Sequence, residues 1–94
     1  MAKFDKKQLE KLYEAILTLK SAEEFYKFFE DICTIQELEA LSQRLDVACR
    51  IKGGKSYADI SRETGASTAT VCRVGKCIKY GSGGYDIVLS RLGK

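Results

Sequence analysis

The stretch Ser56-Tyr-Ala-Asp-Ile-Ser-Arg-Glu-Thr-Gly-Ala-Ser-Thr-Ala-Thr-Val-Cys-Arg-Val-Gly-Lys-Cys-Ile-Lys-Tyr80 decides the fold. It reads as two short helices meeting at Gly65. Ser56 with Asp59 three residues on is a capping signal: the hydroxyl accepts an orphan backbone N–H and the carboxylate favours the positive helix end. The first helix therefore starts near Tyr57. Gly65 follows two turns later and most readily takes the left-handed conformation that ends a helix, while Ser67 caps the next one. Two helices joined by a turn of roughly three or four residues have the form of a helix-turn-helix.

At about 100° per residue, Val71, Val74 and Ile78 fall on one side of the second helix and pack toward Ile60. Thr68, Ala69, Cys72, Lys76 and Lys79 fall roughly opposite. Small residues near the start and lysines later suit a helix whose first turns enter the DNA major groove while later turns meet phosphates. Thr68, Ala69 and Cys72 are the base-edge candidates, and Ser67, Lys76 and Lys79 the phosphate candidates. Ser61 and Arg62 on the first helix are secondary candidates. No acidic residue lies between Ser67 and Tyr80. The alternative is a structural corner of two helices, or a module that presents the same corner to another protein.

Outside this stretch, 94 residues suffice for one domain with a modest core, so a second copy that contributes surface is plausible from size alone. Hydrophobic residues make up 45% and charged residues 31%, and proline is absent, a balance far from disorder. No apolar run approaches the roughly 18 residues that span a bilayer. The N-terminus lacks an apolar segment of the secretory type, so a cytoplasmic protein is expected. Met1 to Lys52 holds 9 basic and 10 acidic residues, whereas Gly53 to Lys94 holds 7 basic and 3 acidic. All of the positive excess therefore accompanies the helix-turn-helix.

Cys33, Cys49, Cys72 and Cys77 have neither zinc spacing nor the pattern of a disulfide framework, and there is no histidine to join them. No metal or cofactor is expected. The usual catalytic combinations are missing, with no phosphate-binding glycine loop and no nucleophile beside a base, so an enzyme is not expected. A redox pair of Cys72 and Cys77 is disfavoured, because five residues apart on one helix they sit about 140° apart around its axis.

In chain order, Leu9, Leu12, Tyr13, Ile16 and Leu17 give an amphipathic helix within Asp5 to Lys20. Ser21 and Glu24 cap a second helix carrying Phe25, Tyr26, Phe28, Phe29 and Ile32 and ending near Cys33. The aromatic stripe has the helical spacing of a core or subunit contact. Thr34 and Glu37 open a third helix, to about Lys52, with Leu38, Leu41, Leu45 and Ala48 on one face. Gly53 and Gly54 stop it. Gly81 to Gly84 forms a break before a short last helix over 85–92. The organisation is one all-α domain over 1–94, with dimerisation helices in 1–52 and the helix-turn-helix in 56–80.

These residues resemble the Trp repressor superfamily, and more closely its branch labelled YerC/YecD. The carriers are Thr34-x-x-Glu37-x-Glu39-Ala40-Leu41-x-x-Arg44 and Gly65-Ala66-x-x-Ala69-Thr70-x-x-Arg73, with Gly83-Gly84-Tyr85-Asp86 specific to the branch. The resemblance implies an intertwined homodimer whose N-terminal helices wrap one another, with the aromatic stripe in its core. It also implies a transcriptional regulator, a repressor, that binds a double-stranded DNA operator.

The family's effector pocket corresponds to Thr34, Arg44, Thr70, Arg73, Val74 and Cys77. Arg44 and Arg73 are the pair that would hold an amino-acid carboxylate and sandwich a ring. The family's glycine after the second arginine is Val74 here, and its serine three residues later is Cys77. Both departures argue against L-tryptophan and leave the identity of any small-molecule effector unknown. The alternative for the two arginines is a structural pairing with Asp46 or Glu39.

Overall fold

The computed structural model describes residues Asp5 to Gly93. Among them are six α-helices and no strand: α1 (Lys6–Leu17), α2 (Ala22–Ile32), α3 (Ile35–Lys52), α4 (Tyr57–Thr64), α5 (Thr68–Tyr80) and α6 (Gly84–Arg91). The chain divides into two units, the first ending at Ile35 and the second beginning at Gln36.

In the first unit, helix starts follow from short polar side chains. Asp5 accepts the Lys7 N–H at 2.9 Å, and Ser21 accepts the Glu24 N–H at 3.2 Å. Glu24 reaches back to the N–H of Lys20, at 2.7 Å, one residue before the cap. The α1 helix holds the whole apolar pattern from Leu9 to Leu17 and ends there, with Thr18 as its cap and the Thr18 hydroxyl donating to the Ala15 carbonyl at 2.6 Å. Along α2, Phe25 and Phe29 stack with ring centres 6.1 Å apart, and Phe28 meets Phe29 edge-on at 5.7 Å. Neither α1 nor α2 buries a single residue. Leu17 is 83% and Tyr26 72% exposed.

The second unit holds the core. Val47 and Ala48 of α3, Ile60 of α4, Ala66 of the turn, Val71 and Val74 of α5 and Leu89 of α6 are all buried together. Ile78 packs against this cluster, as its place on the wheel predicts, together with Tyr57 and Tyr85. Burying a Val, Leu or Ile side chain stabilises by about 1.5–3 kcal/mol, so these few residues dominate the cohesion of α3 to α6.

Ion pairs fasten the rim of this core. Arg50 of α3 binds Asp46 at 3.1 Å and also Glu63 of α4, whose carboxylate takes Lys55 at 2.7 Å. The Lys52 ammonium reaches Asp86 of α6 at 3.0 Å. The last helix begins at Gly84 and ends at Arg91, one residue earlier at each end than its apolar residues indicated. Its cap is Gly83, with φ 85°, so the glycine run is a helix start rather than only a break.

Candidate nucleic-acid interface

The α4–α5 corner is built by short-range hydrogen bonds. Ser56 accepts the Asp59 N–H at 3.2 Å and opens α4. Gly65 closes it in the left-handed conformation, with φ 77° and ψ 0° and its N–H on the Ser61 carbonyl at 3.0 Å. The Thr64 hydroxyl donates to the Ile60 carbonyl at 2.7 Å and accepts the Ala66 N–H at 3.1 Å. Ser67 then caps α5 by accepting the Thr70 N–H at 3.1 Å. The turn is thus Gly65 to Ser67, three residues, and Ala66 inside it is buried against the core.

This geometry sets which face of α5 is presented. Val71, Val74 and Gly75 are buried, whereas Thr68, Ala69, Cys72, Lys76 and Lys79 are exposed. Neither Lys76 nor Lys79 has an acidic partner among the described residues, since every ion pair there involves other cations. Ser67 is exposed at the start of the same stripe.

The two secondary candidates on α4 are already engaged. The Ser61 hydroxyl donates to the Ala66 carbonyl at 2.6 Å and so holds the turn. Arg62 is exposed but binds Asp59 at 2.6 Å. That guanidinium, with the Ser56 cap, holds the Asp59 carboxyl below its usual range. Glu63 is held low in the same way, first by its hydrogen bond with Lys55. Arg50 is pushed up, first by its hydrogen bond with Asp46.

Beside the exposed stripe lies a recess of about 160 Å³ lined by Arg44 of α3, Thr70, Arg73, Val74 and Cys77 of α5, and Tyr85 of α6. Five of the six residues expected for an effector pocket are thereby brought together. The sixth, Thr34, belongs to the first unit, before α3. Val74 is only 2% exposed and belongs to the core as well as to the recess wall. The structural pairing of Arg44 or Arg73 with Asp46 or Glu39 does not occur. Asp46 is taken by Arg50, and neither arginine has an acidic partner among the described residues.

Tyr85 is the lining residue that sequence reasoning passed over. It stood out only as part of a motif, although its place four residues before the buried Leu89 puts both on one face of α6.

Comparison with known proteins bears on what the corner and the recess belong to. Residues 7–93 match the family model described as Trp repressor protein. The chain is 49% identical over 86 residues to the uncharacterized protein YerC of Bacillus subtilis (strain 168), covering 92% of this chain and 83% of that one. It superposes on the crystal structure of a TrpR-like protein from Eubacterium eligens with a TM-score of 0.88 and 50% identity, over 93% of this chain and 90% of that chain. A candidate Trp repressor from Staphylococcus aureus gives a TM-score of 0.87 and 48% identity, over 93% and 87% of the two chains.

Proposed function

The chain belongs to the Trp repressor family, on its YerC branch, and from that premise we propose that it is a homodimeric, sequence-specific DNA-binding regulator of transcription. It acts as a repressor. The α4–α5 corner is the helix-turn-helix, and α5 enters the major groove.

The observation that carries this reading is the stripe on α5. Thr68, Ala69 and Cys72 are exposed near the helix start, Lys76 and Lys79 follow without an acidic partner among the described residues, and no acid occurs from Ser67 to Tyr80. Phosphate contacts position a protein on the duplex, and base-edge contacts specify the sequence. Small and methyl-bearing groups suit thymine methyls and water-mediated contacts, and ammonium groups on later turns suit phosphates. Arg62 releases a counter-charge only by giving up Asp59, which makes it a minor contributor.

The dimer is supported by the first unit, whose two helices expose an aromatic and leucine surface with no buried residue among them. Within the second unit, Leu41 of α3 is likewise left 49% exposed. Such area is stable in water when a second copy covers it. Effector control by L-tryptophan is not part of this reading, because Val74 closes the wall where the family carries glycine.

Duplex binding over a salt series tests the proposal. The logarithm of affinity should fall steeply and linearly with the logarithm of salt. Salt-insensitive binding to a protein partner, with no duplex binding, would favour an interaction module built on the same corner.

A further inference from the structure

Like Lys76 and Lys79 of the exposed stripe, Arg44 and Arg73 have no carboxylate partner among the described residues. Arg50 and Arg62 are held by carboxylates, as are Lys52 and Lys55, yet these two guanidinium groups line one concavity in which no carboxylate takes part. Two unopposed guanidinium groups at one recess call for an oxyanion, whose planar acceptor geometry they match. Thr70 is set up to assist. Its Oγ1 accepts the Ser67 hydroxyl at 3.0 Å, which leaves its own hydrogen to donate elsewhere.

Size admits such a group. A cavity of about 150 Å³ holds a benzene molecule. A recess of about 160 Å³ therefore has room for a phosphate group with a water or two. Position narrows the choice. At about 100° per residue, Arg73 lies on α5 between the exposed stripe of Cys72 and Lys76 and the recess strip of Thr70 and Cys77. The recess thus opens at the edge of the surface that meets DNA.

We propose that Arg44 and Arg73 together grip one backbone phosphate of the bound duplex in this recess, with Thr70 donating a hydrogen bond to it. This rests on the DNA-binding reading above. The recess is then part of the DNA footprint, and the operator supplies the anion that its arginines require. Because both arginines act on one phosphate, their effects are shared rather than separate. The same group could arrive as free inorganic phosphate, and the test distinguishes the two sources.

Affinity for a fixed duplex is measured against salt for the unmodified protein, Arg44→Gln, Arg73→Gln, the double variant, and Arg44→Lys with Arg73→Lys, with thermal unfolding confirming that each folds. One phosphate contact contributes about 0.9 to the slope of log affinity on log salt, equivalent to about eightfold at about 0.1 M salt. The double glutamine variant should lose about one unit of slope, not two, and its affinity loss should be well below the product of the single losses. The lysine pair should restore the slope, since it restores the charge.

An unchanged slope in the double variant, with the unmodified protein still bound steeply, overturns the phosphate grip and leaves the DNA reading standing. A loss of two units with multiplicative affinities also overturns it, by showing two separate phosphates. Stabilisation by inorganic phosphate at matched ionic strength, lost in the glutamine variants while their DNA slopes stay unchanged, assigns the recess to a free ion and overturns the backbone source. No duplex binding by the unmodified protein removes the premise itself, and the grip with it.

Discussion

The Tyr57 hydroxyl of α4 lies against the backbone of Gly75 in α5, so that a Cβ at Gly75 would fall on that oxygen and within 3.0 Å of the ring carbon that bears it. Gly75 is buried, and Tyr57 packs against the core from the other helix. This contact sets how closely α5 approaches α4, and therefore how far the exposed stripe of α5 stands out from the corner.

Gly75→Ala tests that relationship. Alanine inside a helix gains about 1 kcal/mol over glycine from propensity alone, while overpacking a well-filled contact costs about 1–3 kcal/mol. The expected outcome in urea unfolding is a net destabilisation, partly relieved by adding Tyr57→Phe, which removes the hydroxyl. A clear stabilisation by Gly75→Ala alone would show that the approach is looser than described.

Acid sensitivity follows from Glu63, which joins Arg50 of α3 and Lys55 of the connector to α4. Its folded carboxyl is held below its ordinary range, first by the Lys55 hydrogen bond, so the folded state binds its proton less readily than the unfolded chain. The stabilisation is therefore complete above the unfolded value of about 4.3 and is lost as pH falls through the lower folded value. Glu63→Gln should be less stable than the unmodified protein near neutrality, with the gap closing as pH falls below about 4. A gap that persists unchanged through the acid range would show that the pairing does not govern it.

Local signals in the sequence carried the architecture of the corner. Ser56, Gly65 and Ser67 act through bonds that span only a few residues, and each appears where its residue type predicts it. The start of α6 was harder to read, because Gly83 and Gly84 have the composition of a break and only the backbone shows that one caps a helix containing the other. Leu41 and Leu45 posed a different difficulty. Their periodicity matches that of a core face, but the second unit takes Val47 and Ala48 into its core and leaves both leucines exposed. Spacing along a helix cannot distinguish a face covered by the same chain from one left for another. The recess was readable only through the family resemblance, and Tyr85 enters it through tertiary packing of α6 that no short motif encodes.

L-tryptophan at millimolar concentration should neither raise the thermal midpoint nor tighten duplex binding, because a ligand of the native state must stabilise it by mass action. Val74→Gly, with or without Cys77→Ser, should enlarge the recess beside Arg44 and Arg73. Val74 is nearly fully buried, so this change costs core packing in addition to about 1 kcal/mol for glycine in a helix. Tryptophan binding confined to the variant supports closure by Val74. Clear stabilisation of the unmodified protein contradicts it.

The aromatic and leucine surface of α1 and α2 predicts two chains in solution. Sedimentation at micromolar concentration should show a dimer, and substitution of Tyr26 and Phe29 by aspartate should break it by placing charge in the apolar contact. A compact monomer of the unmodified protein would remove the dimer, and with it the expectation of two half-sites about 34–36 Å apart, a spacing known for dimeric helix-turn-helix proteins, the Trp repressor included.

The central claim is that the exposed face of α5 reads sequence, and selection of bound fragments from genomic DNA tests it most directly. The unmodified protein should enrich a small set of sequences sharing a two-fold related motif. Changes at Thr68, Ala69 or Cys72 should alter the bases selected, each wrong base pair costing about 1–3 kcal/mol. Lys76→Gln and Lys79→Gln should instead weaken binding to all sequences alike, with about one unit less salt slope each. Enrichment of no motif, or a preference unmoved by changes at Thr68, Ala69 and Cys72, would contradict the assignment of α5 as the reading helix.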